Sequence, residues 1–588
     1  MNPPKHKTGS AGRPVAGRAE VSGIPQTPGW SRTLRETIES IAIAFMLAFL
    51  FRTFEAEAFV IPTGSMAPTL MGKHLDIACP KCGFEYRVGA PHDDEEDPSR
   101  AVPAARDADL ANTCVCPNCG YTLDFAHMNP SERASYVYYN GDRILVSKFV
   151  YDFSPPARWD VIVFKYPEDA KTNYIKRLVG LPNDLVRIRD GDIAVSHDNG
   201  KTFVYQPRSP GKLRSMLQMV FDDDHAFRPF VEKGWPAALQ GEGRDAAAWT
   251  AVASNSKERY GPTAFITAGK LPSGAPAEAW LRYYHYVPNE QDWSRFQHGQ
   301  KLSFIAPSGE QYPQPQPITD SNPYDTPFRD QLGNPSPVDD LAIEFQVDVQ
   351  QTQGKLALEL IKQGQPFRCL LDLAAGSAEM EIPGWNQKTP PRAATGGISR
   401  TGSHQILFAN VDHQITLLVD DKKVEFDPPA VWSDVAPGNA SVGSPAAIGS
   451  MGAPLQINHF RILRDIFYTY DTGRFRDDQA PQGWPTDVHP WSCFPPEGID
   501  KLRQAGADVR EYDQYFFLGD NQFFTLGDNT RLSQDGRFWS PLHFVDRRLL
   551  IGKALVIYWP HSFDRVSIFG HEVPFPYWPN FSRMGFVR

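Results

Sequence analysis

Residues 58–70 read AFVIPTGSMAPTL. Apolar side chains alternate at Phe59 and Ile61, which predicts a short strand. Pro62-Thr63-Gly64-Ser65 ends it, because proline and glycine punctuate local structure, and the bend presents Ser65. A serine in a turn is most often only structural, and it becomes a nucleophile only beside a base. One candidate base lies in NYIKRLVGLPNDLVRI, residues 173–188, where Lys176 interrupts a strand pattern of Tyr174, Ile175, Leu178 and Val179. Strand lysines usually sit on exposed edges. Burial would instead favour the neutral amine, because desolvation penalises the ammonium form. A neutral amine can take the proton of a serine hydroxyl. Each stretch alone is compatible with a plain strand and turn.

In combination they say more. PTGSMAPTL (62–70) is followed by GDRILVSKFVYDFSPPARWDVIVFKYP (141–167), YIKRLVGLPND (174–184) and LGDNTRLSQDGRFW (526–539). The set, in this order, resembles type I signal peptidases. The resemblance implies a serine endopeptidase with a Ser/Lys dyad and no catalytic cofactor. Ser65 matches the nucleophile and Lys176 the general base. The backbone N–H of Ser65 and the hydroxyl of Thr63 match the oxyanion hole. Ser533 matches a residue that orients the lysine, and Asp535 with Arg537 a supporting ion pair. Gly536 departs from the serine common between those two. Substrates implied are exported pre-proteins, cut after small-x-small sequences. The substrate-lining positions map onto Phe59, Ile61, Met66, Ile144, Val163, Tyr174 and Ile175, all of which also suit a plain core. A near-duplicate, FFLGDNQF (516–523), precedes FTLGDNTR (524–531); only the second has the following Ser and Arg, so the first is expected to be an extra turn or strand edge.

Upstream, residues 1–35 carry Lys5, Lys7, Arg13, Arg18, Arg32 and Arg35 against Glu20 and are read as a disordered basic tail. IAIAFMLAFLF (41–51) then forms an apolar run. Eleven helical residues span about 16 Å, and a hydrocarbon core is ~30 Å thick, so a span needs flanking residues whose polar ends snorkel. The expectation is a single transmembrane anchor over 36–58 in a bacterial-type inner membrane. Its N-terminus is cytoplasmic by the positive-inside rule, and the catalytic domain is extracytoplasmic. A cleaved signal peptide and a buried soluble helix are the competing readings.

Two insertions split the motifs. Residues 72–140 contain Cys79-Pro-Lys-Cys82-Gly and Cys116-Pro-Asn-Cys119-Gly. Paired knuckles of this kind resemble a zinc ribbon, in which four thiolates close a structural zinc site; two disulfides or plain reduced thiols are the alternative, and Cys114 blurs which thiol the second knuckle uses. Asp93–Asp97 is read as a solvated loop. Within the second insertion, 191–510, residues 205–335 show no motif. Residues 338–470 alternate like antiparallel strands and resemble concanavalin or laminin-G jelly rolls; a β-sandwich that serves structure or binds an unidentified envelope partner is expected, with a glycan-binding lectin as the alternative. Both insertions are expected to be separable from the chemistry.

Composition bounds the rest. Of 588 residues, 41% are hydrophobic, and 37 Phe, 13 Trp and 21 Tyr exclude a wholly disordered chain. One apolar run excludes a polytopic membrane protein. With Lys+Arg 59 against Asp+Glu 69, the net charge of -10 argues against nucleic acid as a partner; the expected partners are pre-proteins, their signal peptides and the lipid bilayer. The fold class expected is mainly β: a split antiparallel peptidase domain (59–71, 141–190 and 511–588) on one N-terminal membrane helix, with the ribbon and the sandwich inserted. A catalytically silent envelope-binding protein on the same scaffold is the alternative function.

Overall fold

The computed structural model describes residues 34–46, 56–90, 113–253, 261–468 and 502–587, with short gaps inside these ranges. The chain divides into two units, Met1–Ala56 and Glu57–Arg588. In the first, residues 36–46 are helical, with Ile38, Ile41, Ile43, Phe45 and Met46 exposed. No helix among the described residues is long and apolar enough to cross a membrane. Residues 47–55 of the expected anchor, the basic tail up to residue 33, and Asp93–Asp97 lie outside the described residues.

The second unit is mainly β, and every strand pairing with a described register is antiparallel. One sheet runs in the order Ala56–Val60, Arg143–Ser147, Leu550–Trp559, Val161–Lys165, Asn173–Gly180, Gln522–Leu526, Val545–Asp546. Its strand Leu550–Trp559 comes from the far end of the chain and pairs with Arg143–Ser147 on one side and Val161–Lys165 on the other. Apolar alternation drives this assembly: Ile144, Val146, Val161 and Val163 share one buried cluster with Ala554 and Ile557. A second sheet, Val204–Tyr205, Asp192–Ser196, Leu185–Arg189, Gln514–Phe517, packs Val186, Ile188, Val195 and Phe516 against Val179, Phe524 and Leu526 of the first. Its hairpin turns on Asp190 (φ 48°) and Gly191 (φ 86°), the left-handed pair that a tight two-residue turn requires.

Two larger sheets share one core. The first includes Leu341–Val349, Gly402–Val411, Gln414–Val419 and Leu455–Arg464; the second includes Lys355–Lys362, Gln365–Asp372, Ser377–Glu381 and Ala446–Met451. Alternate residues point inward, with Ile343, Phe345 and Val347 meeting Leu356, Leu358, Phe367 and Cys369. Residues that carry no legible sequence motif also join: Gln218–Asp222, Thr250–Ala253 and Thr263–Thr267 enter the first sheet, Leu239–Glu242 and Glu278–Tyr283 the second. These paired sheets therefore reach beyond 338–470. Buried ion pairs add to this core, and one of them reaches the second, smaller sheet. Arg208 meets Asp412 and Asp465, and Lys362 meets Asp340 and, at 3.3 Å, Asp192 of the hairpin strand.

Phe345 is fully buried at the centre of the shared core. Phe345→Ala is expected to cost about 3–5 kcal/mol, read as a lower urea midpoint by near-ultraviolet circular dichroism.

Candidate active site

The strand Ala56–Val60 leads through Pro62 into a short 3-10 turn, Gly64–Met66. Thr63 precedes it in extended conformation and does not use its hydroxyl to cap the turn. Ser65 is 8% exposed and Lys176 4%. Lys176 lies on Asn173–Gly180, opposite Ile162 of the neighbouring strand. Its Nζ donates to Ser65 Oγ at 2.6 Å and stands 5.4 Å from the Tyr174 ring centre. A buried hydroxyl and amine in direct contact can exchange a proton without an intervening water.

A second turn, Gly527-Asp528-Asn529, holds both partners. The Asn529 N–H donates to the Ser65 carbonyl at 3.1 Å. Asp528 accepts from Arg177 Nε and Nη2 at 2.7 and 2.6 Å and from the Thr69 hydroxyl. Arg177 and Asp528 are fully buried. Burial works against the Arg177 charge, but the Asp528 carboxylate outweighs it and holds the guanidinium pKa above its ordinary value. A Cβ at Gly527 would lie 2.1 Å from Ser533 Oγ and 2.5 Å from the Ser65 carbonyl, so only glycine fits.

Asp535 and Arg537 form the expected ion pair, fully buried at 2.9 Å. Asp535 also accepts from the Gly527 N–H at 2.9 Å, and Arg537 donates to the Thr530 carbonyl at 2.8 Å, so the pair braces the turn. Gly536 fits here because a Cβ would lie 2.7 Å from the Phe524 ring and 2.9 Å from the His543 carbonyl. Ser533 departs from expectation. It is buried beside the dyad, but among the described residues its Oγ has no hydrogen-bond partner. The earlier Gly519-Asp520-Asn521 copy is the turn by which the chain passes from Gln514–Phe517 of the second sheet to Gln522–Leu526 of the first, with Asn521 at φ 61°.

Of the substrate-lining positions, Ile61, Met66, Ile144 and Val163 are buried in one cluster, with Phe59 and Ile175 half-buried against it. Tyr174 packs in the adjacent cluster, stacked on Tyr166 at 4.5 Å and near Trp539. Sequence reasoning assigns no role to Thr69, Arg177, Asp528 or Asn529. All four stand inside the quoted motifs, so a signal is present in the sequence and only their partners are hidden from it.

A further pair of contacts comes from the large insertion. Tyr324 is buried against Ala67 and Met71, and its hydroxyl donates to the Lys73 carbonyl at 2.9 Å. Asn529 Nδ2 donates to Asp325 Oδ1 at 2.7 Å. Burial pushes the Asp325 carboxyl up to about 7, with Asn529 and Arg531 pulling the other way.

The four knuckle cysteines converge. Their sulfurs all lie within 4.8 Å of one another, with Cys79–Cys119 and Cys82–Cys116 at 3.6 Å, and all four are free thiols. Four sulfurs around zinc at ~2.3 Å would be about 3.8 Å apart, whereas a disulfide would be about 2.05 Å. The donor set therefore fits a tetrahedral thiophilic metal. In each knuckle the following glycine adopts positive φ, 71° at Gly83 and 67° at Gly120, and its N–H returns to the first cysteine's carbonyl. Cys114 stays outside the cluster, where burial pushes its thiol up to about 12. The Trp293 indole donates to the Cys119 carbonyl at 3.1 Å, so the second insertion packs on the knuckles.

The family model described as "Signal peptidase, peptidase S26" matches residues 124–230 and 447–559. That span contains Lys176 and the turn at Gly527, and Ser65 precedes it. Signal peptidase I of Pseudomonas fluorescens is 49% identical over 59 residues, 8% of this chain and 21% of that protein. Signal peptidase I of Aquifex aeolicus is 34% identical over 93 residues, 16% of this chain and 32% of the relative. Signal peptidase I of Rickettsia bellii is 24% identical over 168 residues, 29% and 42% of the two chains. The chain thus spans less than half the length of these curated relatives. A solved carbohydrate-binding module from Bacillus subtilis aligns over 37% of this chain and 94% of its own at 8% identity, with a TM-score of 0.19, too low to carry an argument. Over the matched stretches, the chain is similar to the signal peptidases that its motifs resemble.

Proposed function

We propose that this chain is a serine endopeptidase that removes N-terminal signal peptides from exported pre-proteins, with Ser65 as nucleophile and Lys176 as general base. The observation that carries the reading is the buried 2.6 Å contact between Lys176 Nζ and Ser65 Oγ, set among the ordered motifs. In the reaction, the neutral amine takes the hydroxyl proton as Oγ attacks the scissile carbonyl. The oxyanion is received by the Ser65 N–H and the Thr63 hydroxyl, fixed donors that stabilise charge as it develops. Lys176 returns the proton to the leaving amine as the peptide bond breaks. Water, deprotonated by the same lysine, then hydrolyses the acyl-serine ester. The cluster around Ile61, Met66, Ile144 and Val163, with half-buried Phe59 and Ile175, would receive small residues before the cut. The apolar run over 41–51 with its flanking residues, ending before the strand Ala56–Val60, would hold the chain in a bilayer with the catalytic domain outside the cytoplasm. Four thiolates would hold one zinc with no open position for a catalytic water.

Ser65→Ala and Lys176→Ala are each expected to abolish cleavage of a pre-protein by the detergent-solubilised full chain, with the cut mapped by mass spectrometry; substantial activity in either folded variant would sink the dyad. Thr63→Val is expected to slow turnover by ~10²–10³ through loss of an oxyanion donor, and a wild-type rate would leave the backbone as sole donor.

Activity is expected to climb with pH as the buried amine gives up its proton. A profile flat from neutral to alkaline pH would contradict a lysine base.

Purified protein is expected to hold one zinc per chain, measured by plasma mass spectrometry, and the Cys79→Ser/Cys119→Ser variant none. Metal-free wild-type protein prepared without chelator would remove the zinc assignment.

A further inference from the structure

The large insertion reaches the nucleophile turn itself. Its 3-10 segment Pro323–Gln331 places buried Tyr324 against the loop that carries Ser65 and buried Asp325 against the turn Gly527-Asp528-Asn529. The Tyr324 ring lies so close to Gly64 that a Cβ there would stand 1.9 Å from its Cε1. Gly89 crowds the same ring, since a Cβ there would lie 2.5 Å from the same atom. Gly89 ends the strand Glu85–Gly89 that returns from the first cysteine knuckle. The Tyr324 hydroxyl donates to Lys73, just before the strand that leads into that knuckle. Tyr324 thus stands between the nucleophile turn and the base of the knuckle hairpin. Asp325 acts from the other side. It accepts from the Asn529 side chain at 2.7 Å, and the Asn529 N–H in turn donates to the Ser65 carbonyl at 3.1 Å.

Neither residue touches the Ser65–Lys176 contact. Each acts through an intermediary, Gly64 in one case and Asn529 in the other. We infer that Tyr324 and Asp325 are positioning residues: the insertion supplies a wedge and a hydrogen-bond acceptor that hold Ser65 in register with Lys176. The inference rests on the peptidase reading. Its physical basis is that the turn Gly64–Met66 has no long helix or strand of its own to stiffen it, and a displacement of about 1 Å at a reacting atom can cost ~10²-fold in rate.

The test compares Tyr324→Leu and Asp325→Ala with wild type in the full chain, using a short peptide substrate and hydrogen exchange at residues 63–67. The expected result is a fall in kcat of ~10- to 10²-fold, an unchanged KM, and faster exchange at 63–67. Tyr324→Phe keeps the ring and Asp325→Asn keeps an acceptor, so both should recover most of the loss. The two sites approach the turn independently, so one folded variant suffices. Wild-type kcat in either folded variant, or unaltered exchange at 63–67, would overturn the inference. An inactive wild type, or cleavage that survives in Ser65→Ala, would instead remove the peptidase reading, and the exchange comparison would still decide whether the wedge holds the turn.

Discussion

A guanidinium with no access to water must find its counter-charge inside the protein, and Arg177 finds Asp528. Removing one partner of such a pair leaves an uncompensated buried charge, at a cost of about 3–5 kcal/mol. This constraint organises the site. Arg177 follows Lys176 on its strand, Asp528 lies in the turn whose next residue holds the Ser65 carbonyl, and Thr69 bonds Asp528 from the serine's own loop. The pair fixes where the lysine strand, the serine loop and the late turn meet. The Asp535–Arg537 pair repeats the device one layer out, bracing Gly527 and Thr530.

The topology makes that meeting necessary. Strands from residues 143–180 complete their sheet only when Gln522–Leu526 and Leu550–Trp559 arrive, after the large insertion has been threaded through. Lys362 of the insertion pairs with buried Asp192 on the strand that hydrogen-bonds to Leu185–Arg189. The insertion also returns to the site through Tyr324 and Asp325. The expectation that both insertions are separable from the chemistry follows from their place in the chain. Contacts across the fold give the segment around 324 a direct hold on the serine turn.

Much of the site is legible in the sequence alone. Ser65, Lys176, Asp535 and Arg537 stand in motifs whose spacing is local, and the four cysteines stand in two self-similar knuckles. Mainly antiparallel β structure follows from alternation, as in Leu341–Val349 and Lys355–Lys362. The strands of 218–283 are illegible because they are short, four to six residues each, and proline, glycine and polar residues interrupt their pattern. Ser533 is buried close to the Ser65 carbonyl across Gly527, and its Oγ has no hydrogen-bond partner among the described residues, which its motif does not foretell.

What the sequence by itself determined was therefore local: the turn at Gly64, the strand around Lys176, the knuckles, and the Asp-x-Arg brace. These depend on backbone preferences and short spacings, which a linear reading contains. Only the tertiary structure decided which distant side chains complete each part. Thr69 with Asp528, Asn529 with Asp325, and the Tyr324 ring over Gly64 are contacts between residues hundreds of positions apart. No periodicity encodes them, because burial and hydrogen-bond satisfaction are settled only when the sheets close.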